Sequence, residues 1–163
     1  MSCTEKLNMM KISPHLSYKE VTYSETAIRN DIDNEPNGPQ LLAIKIMADY
    51  LFEPLREWVG GPIKVNSCFR SEELNSRIGG SKSSQHMANN GAAIDIDDAY
   101  DIKTNSQMFF YIKDHLDFDQ LIWEFGDDRN PDWVHVSYKK EGNRRQVLKA
   151  KKVNGKTKYL TWE

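Results

Sequence analysis

The sequence predicts an α+β fold in which an antiparallel sheet carries the functional site and helices pack against that sheet. Three observations predict this class. Helical apolar spacing dominates the first half of the chain, strand-like alternation dominates the second half, and the length of 163 residues suits one domain, residues 1–163, with its own core. Two cysteines, Cys3 and Cys68, are too few for a disulfide framework and are expected to be free thiols.

The first half of the chain has mainly helical patterns. Residues 1–38 are expected to form a helical extension, in which Ser17 begins a capping box and the short helix that follows reaches about Arg29. Apolar residues at helical spacing over 41–58 then predict a longer helix, which Pro54 kinks or splits.

The second half alternates apolar and polar residues, as strands do. Strands are predicted over residues 62–70, 91–97, 118–125 and 133–140, with a short helix after Ser71 and a longer helix over 102–116 between them. A final hairpin is predicted to turn at Asn154–Gly155, because these two residue types favour a type I′ turn.

The charge of the chain is unevenly distributed. Residues 139–163, the basic C-terminal hairpin, hold nine Lys and Arg against two Glu, a balance of +7, so the other residues sum to −9 for a net charge of −2. The hairpin is a candidate contact for an anionic cell wall, although such charge also keeps edge strands from aggregating. The acidic remainder argues against nucleic-acid binding, which depends on neutralising phosphates.

Two further patterns concern location. No apolar run approaches the roughly 20 residues of a membrane span, and the N-terminal stretch MSCTEKLNMMKISPH lacks the apolar core of a signal peptide. The protein is therefore expected to have no membrane span and to be made in the cytoplasm.

The stretch SSQHMANNGAAIDIDD, residues 83–98, places a histidine before a short strand of alternating acids. Because side chains alternate along a strand, Asp95 and Asp97 face one side and two isoleucines face the other. The carboxylates therefore lie on a face close to His86. Gly91 and the two alanines after it are small, so a ligand or another backbone segment can approach closely.

The stretch PDWVHVS, residues 131–137, supplies a second histidine, His135, with Asp132 three residues before it. Two histidines and a carboxylate fixed on strands suit a catalytic zinc, which uses three protein ligands and leaves one position for water. A carboxylate outside the ligand set can then take the proton of that water. The spacings match no short zinc signature, so these residues alone leave ordinary hydrogen-bonded histidines as an open alternative.

Together these motifs resemble the M15 peptidases, the group of zinc D-Ala-D-Ala carboxypeptidases and phage L-alanyl-D-glutamate endolysins. The family pattern is Ser-x-His, then Gly-x-Ala-x-Asp, then an acid before a distant Trp-x-His. Here it occurs as SQH at 84–86, GAAID at 91–95 and DWVH at 132–135. The resemblance covers most of the chain, from ISPHLSYKEV to PDWVHVSY. The spacing from histidine to aspartate is nine residues where the family has seven, as if two residues were inserted around Asn89–Asn90.

The resemblance implies that His86, Asp95 and His135 hold Zn²⁺ and that Asp132 is the general base. It also implies a role for Arg70 in the segment CFRS, which resembles the family arginine that holds the substrate or its developing oxyanion.

A second carboxylate competes with Asp132 for the role of base. Glu124, in the segment LIWEF, is a rival base or a partner that orients a ligand histidine. The alternative for Asp132 itself is that it caps the turn beside Pro131 and has no catalytic role.

The function that the resemblance implies is a zinc metallopeptidase acting on bacterial peptidoglycan stem peptides. It leaves open whether the terminal D-Ala-D-Ala bond or the L-Ala-D-Glu bond is cut. Since the sequence shows no signal peptide, the chain resembles a compact phage endolysin or virion enzyme, which acts on the cell wall after release. The alternative is a non-catalytic virion module that binds metal or cell wall. The oligomeric state stays open.

Overall fold

The computed structural model describes residues 1–2, 5–6 and 9–163 of the chain. Cys3 lies outside the described residues, whereas Cys68 is a free and buried thiol. Within the described ranges, no helix is both long enough and apolar enough to cross a membrane.

The N-terminal region combines short strands with short helices. Its elements are β1 (Lys11–Ser13), β2 (Leu16–Ser17), α1 (Tyr18–Thr22) and α2 (Glu25–Arg29). The predicted capping box is present, because Glu20 N donates to Ser17 Oγ and Ser17 N donates to a Glu20 carboxylate oxygen. The single helix expected to reach Arg29 is instead two helices, since Tyr23 is extended and Ser24 caps a second start.

The predicted long helix is also divided. It comprises α3 (Gly38–Met47), a π-helical segment (Ala48–Phe52) and α4 (Glu53–Val59). Pro54 lies in the first turn of α4, directly after the π-helical segment. Because proline has no N–H to donate, a locally widened turn before it lets the helix continue. Gly60 ends α4 in the left-handed conformation, with φ of 77°.

A six-stranded sheet forms the centre of the molecule, in the order β3-β4-β6-β5-β7-β8. Its strands are β3 (Lys64–Ser67), β4 (Ala92–Asp97), β5 (Gln120–Glu124), β6 (Trp133–Tyr138), β7 (Gln146–Val153) and β8 (Lys156–Thr161). The expectation of an antiparallel sheet is confirmed for four of the five strand pairings. The fifth pair, β5 and β7, is parallel, because the turn after β6 carries the chain past β5 to its far side.

Two helices and one 3₁₀ turn complete the chain: α5 (Glu72–Arg77), the 3₁₀ turn (Gln85–Met87) and α6 (Asn105–His115). Strand β3 is shorter than the predicted strand over 62–70. The chain leaves the sheet after Ser67, because Phe69 N donates to Val21 O and Arg70 N donates to His86 O.

The two faces of the sheet differ in character. One face packs on the helices in a single buried cluster, whose members include Ile94, Ile96, Val134 and Val136 from the sheet, Ile44 and Met47 from α3, and Phe109 and Ile112 from α6. The opposite face carries Asp95 and His135, which are paired across β4 and β6. The apolar face therefore fixes the strands whose other face presents the polar groups.

The C-terminal hairpin turns at Asn154–Gly155, where both residues have positive φ, as the type I′ prediction requires. Just after β8, Trp162 packs on the apolar face of the sheet. Its ring centroid lies 5.3 Å from that of Trp123 and 4.8 Å from that of Phe109. The hairpin is thus anchored to the core at its end.

Candidate metal centre and its cleft

Three polar side chains converge on the second face of the sheet. The Nε2 atom of His86 lies 3.2 Å from Nδ1 of His135 and 3.3 Å from Oδ1 of Asp95, and the last two atoms are 2.9 Å apart. All three residues are buried, and together they could hold a metal ion. Residues separated by nine and forty positions in the sequence therefore meet at one point.

Each of the three side chains is positioned by its own element. Asp95 and His135 are direct neighbours across β4 and β6. His86 comes from the 3₁₀ turn, and its Nδ1 lies 2.6 Å from the carbonyl oxygen of Cys68. A carbonyl at that position accepts the Nδ1 proton and leaves the Nε2 lone pair directed at the other two groups.

The donor set fits a metal of tetrahedral preference. Ligand atoms bound to zinc at about 2.0–2.1 Å lie about 3.3 Å from one another in a tetrahedron. The separations of 2.9 to 3.3 Å among the three donor atoms match that edge length. Two imidazoles with one carboxylate also leave a fourth position open, as catalytic zinc sites do.

The protonation states of the convergent side chains suit a bound cation. Burial lowers the pKa of the His86 imidazole, which keeps the ring neutral. Burial raises the pKa of Asp95, but the adjacent His86 and His135 lower it more, and the net shift is downward. Neutral imidazoles and an ionised carboxylate are the forms that bind a metal ion.

The long segment between His86 and Asp95 is accommodated without separating the two side chains. Gln40 of α3 donates through Nε2 to the carbonyl of Met87 and to Oδ1 of Asn89, which holds the extra residues against the helix. Gly91 then has φ of 78°, and a Cβ there would overlap the carbonyl oxygen of Tyr138. A glycine at this position therefore lets β4 begin directly beside β6.

Arg70 lies next to the three convergent residues. Its Nη2 donates to Oδ2 of Asp95 at 3.3 Å and its Nε donates to Oγ of Ser67 at 3.1 Å. The guanidinium also lines the cleft described below. Arg70 is thus brought to the site, as the sequence motif implies.

A cleft with a volume of about 670 Å³ opens above the three convergent side chains. One wall comes from the loop that includes Ser81 and Gln85, and the floor comes from β5 and β6. The C-terminal hairpin supplies the opposite wall through Gln146, Leu148 and Tyr159. The basic hairpin is therefore part of the site.

The two candidate bases occupy different places. Asp132 is exposed, and the cleft-lining residues do not include it. Glu124 lines the cleft and is only 7% exposed. Asp132 as base, and Arg70 as a substrate contact, both stay predictions.

Strand parity accounts for the position of Glu124. Ile122 is paired with His135, so Glu124, two residues further along β5, is on the same face as His135. Asp132 lies before β6 begins at Trp133, so strand alternation does not fix the direction of its side chain.

The environment of Glu124 suits proton transfer. Burial raises the pKa of Glu124, the nearby His135 and Arg70 lower it, and Asp95 raises it, with a net result of about 7. A carboxylate in a site of this kind exchanges a proton readily near neutral pH.

A family model described as Peptidase M15 matches residues 14–137. The matched range contains the three convergent residues, Arg70, Glu124 and Asp132, and it ends before the C-terminal hairpin. A search of curated proteins found no match.

Proposed function

Because the chain belongs to the M15 peptidase family, we propose that it is a zinc-dependent hydrolase of peptide bonds in bacterial peptidoglycan stem peptides. Membership of this family identifies the chain as a metallopeptidase, without naming its substrate. The observation that carries the proposal further is the convergence of His86, Asp95 and His135 at the floor of a cleft of about 670 Å³.

Zinc is the metal that this donor set suits best. Imidazole nitrogen and carboxylate oxygen are common zinc ligands, and sites with three protein ligands are typical of zinc hydrolases. When bound, the ion supplies a Lewis acid for the scissile carbonyl and lowers the pKa of water to about 7.

Two side chains beside the donor set supply proton transfer and charge stabilisation. We assign the general base to Glu124, which accepts a proton from the attacking water and delivers it to the leaving amine. Its burial in the cleft and its raised pKa support this role. Arg70 holds a substrate carboxylate or stabilises developing negative charge, as an always-charged guanidinium can.

The substrate is assigned by combining the family with the cleft. In this proposal a peptide lies across β5 and β6, between the loop at Ser81–Gln85 and the hairpin. The walls of the cleft are polar and carry cationic side chains. Stem peptides bear free carboxylates that such walls can bind. Action at the cell wall follows from this substrate, and a phage endolysin or virion enzyme is the biological role we propose.

The test is hydrolysis of isolated peptidoglycan. Purified protein is incubated with Gram-negative peptidoglycan, with zinc or with a chelator, and released fragments are identified by mass spectrometry. The expected result is release that the chelator abolishes and zinc restores, with fragment masses naming the bond that is cut.

The matched control is His135→Ala, which removes one ligand and should release nothing at any zinc concentration. Zinc-loaded wild type that releases nothing from walls of several chemistries would refute the proposal and favour a non-catalytic metal-binding module.

A further inference from the structure

We propose that one end of the cleft is an anion subsite, built by Lys139 and Arg144 on the buried Asp119, that binds a carboxylate of the substrate peptide. The assignment of that ligand to a stem peptide rests on the proposed function. Both cations follow residue 137, the last that the family model matches, whereas Asp119 lies within the matched range.

The subsite is held together by a carboxylate that solvent does not reach. Asp119 is 0% exposed. Arg144 donates to it through Nη2 at 2.7 Å, through Nε at 3.1 Å and through its backbone N at 3.0 Å. Lys139 Nζ lies 3.3 Å from Oδ1 of the same carboxylate. Asp119 is itself fixed, since its backbone N donates to the carbonyl of Ser137 on β6.

One carboxylate therefore faces two cations. Burial raises the pKa of Asp119, but the hydrogen bonds from Arg144 and Lys139 lower it more, to about 2, so the carboxylate stays charged at any physiological pH. The cluster then carries a net charge of +1. The side chain of Arg144 is 52% exposed, and both cations line the cleft. This surplus positive charge is directed at the space that a substrate would fill.

The neighbouring polar groups suit an extended peptide. Gln120 Nε2 donates to Oε1 of Gln146 across β5 and β7, and both side chains line the same end of the cleft. Asn90 lines the cleft from the opposite wall. Amide side chains at the two walls can bind a backbone while the cations bind its carboxylate.

The position of the subsite sets which carboxylate it can reach. Ser137 and Lys139 follow His135 by two and four residues, which is about 7 to 13 Å along an extended strand. That distance corresponds to two to four residues of an extended substrate. The bound carboxylate therefore lies away from the scissile bond, and the site recognises a peptide longer than a dipeptide.

The experiment measures binding to the chelator-treated protein, in which hydrolysis cannot occur and the subsite, which contains no metal ligand, is unchanged. The probes are the pentapeptide L-Ala-γ-D-Glu-L-Lys-D-Ala-D-Ala, the same peptide amidated at the D-glutamate carboxylate, and the same peptide amidated at its C-terminus. Dissociation constants are measured by calorimetry for the wild type, Arg144→Gln, Arg144→Lys, Lys139→Gln and the control Lys158→Gln. The control removes a hairpin charge that does not line the cleft.

The expected result is that one of the two amidations weakens wild-type binding by about tenfold. Arg144→Gln and Lys139→Gln should reduce that difference to about threefold or less, Arg144→Lys should restore part of it, and Lys158→Gln should keep it whole. Thermal unfolding of each variant shows that the fold is intact.

Three results would overturn the subsite. They are equal binding of all three peptides by the wild type, a selectivity that persists in Arg144→Gln and Lys139→Gln, and no binding of any peptide. Hydrolysis is scored separately on zinc-loaded protein. Hydrolysis without carboxylate selectivity leaves the proposed function standing, whereas selective binding without hydrolysis leaves the subsite standing.

Discussion

Among the described residues that line the cleft, Glu124 is the one carboxylate outside the metal-ligand motif. It reaches the cleft because β5 is the strand next to β6, and because its parity matches that of His135. Its burial raises its pKa to about 7, which is where a general base works best at neutral pH.

Substitution separates the two candidate bases. We expect Glu124→Gln to lower kcat by about 10²–10⁴-fold, which is the usual contribution of general acid–base catalysis. Asp132→Asn should leave kcat within about threefold of wild type, since Asp132 is exposed outside the cleft. Steady-state kinetics on zinc-loaded protein, with zinc content measured for each variant, gives the answer. The reverse pattern would assign the base to Asp132.

Ionisation of Asp119 makes the free energy of unfolding depend on pH in the acid range. Its pKa is about 2 in the folded protein against an ordinary value of 3.8, so its contribution is present above pH 4 and is lost as the pH falls toward 2. The loss should be about 2 kcal/mol in the free energy of unfolding.

Urea unfolding of the wild type and Asp119→Asn checks this expectation. At pH 7 the variant should be less stable by about 2–4 kcal/mol, because two cations lose their shared partner. The difference between the two proteins should shrink toward pH 2. A difference that is constant with pH would show that the ionised carboxylate is not what stabilises this cluster.

At the scale of elements, the start of β4 decides how closely the metal-binding residues approach. Gly91 combines positive φ with a backbone contact to Tyr138, which leads directly into the pairing of β4 with β6. The extra residues before it are bound to α3 through Gln40, so the loop is long without moving the strand.

Two glycines with positive φ make a matched comparison. Gly142→Ala should cost about 1–2 kcal/mol from its φ of 71° alone, since a Cβ there meets nothing within 4 Å. Gly91→Ala should cost about 1–3 kcal/mol more, because its Cβ overlaps backbone that cannot move without shifting β6. Urea unfolding measures both. Equal losses would mean that the contact at Gly91 relaxes freely.

Elements with local signals could be predicted from the sequence. The capping box at Ser17 and the turn at Asn154–Gly155 depend only on nearby residues, and both are present. The early end of β3 could not be predicted, because it depends on Phe69 and Arg70 finding backbone partners far away in the sequence. The parallel pairing of β5 and β7 is likewise a property of the whole sheet.

The candidate site could be predicted in part. The resemblance to the M15 peptidases implied His86, Asp95 and His135 as a group, and the structure brings these side chains together. The burial of Glu124 could not be anticipated from its own segment, because the cleft around it is completed by the C-terminal hairpin. A side chain's pKa depends on such distant neighbours, and the pattern of one strand does not contain them.

At the scale of the whole molecule, the metal site joins segments that are far apart in the chain. The 3₁₀ turn at Gln85–Met87, β4 and β6 each contribute one of the three side chains that could hold a metal ion. A ligand that binds the folded state but not the unfolded state stabilises the fold by mass action. Zinc should therefore act on the stability of the entire molecule.

Thermal unfolding with and without zinc tests this linkage. At a free zinc concentration 100-fold above its dissociation constant, stabilisation of about 2.7 kcal/mol should raise Tm by about 5–10 °C. His135→Ala should abolish the increase, and His115→Ala, which removes an exposed histidine, should retain it. An increase that survives in His135→Ala would mean that zinc binds elsewhere.

The contact between Trp123 and Trp162 gives the molecule an optical property. Their ring centroids are 5.3 Å apart, and one ring belongs to the centre of the sheet while the other follows its last strand. Indoles this close perturb each other's ultraviolet absorption and emission. Detachment of the C-terminal hairpin, which forms one wall of the cleft, would therefore change the intrinsic fluorescence. Opening of the cleft on that side is observable without any attached dye.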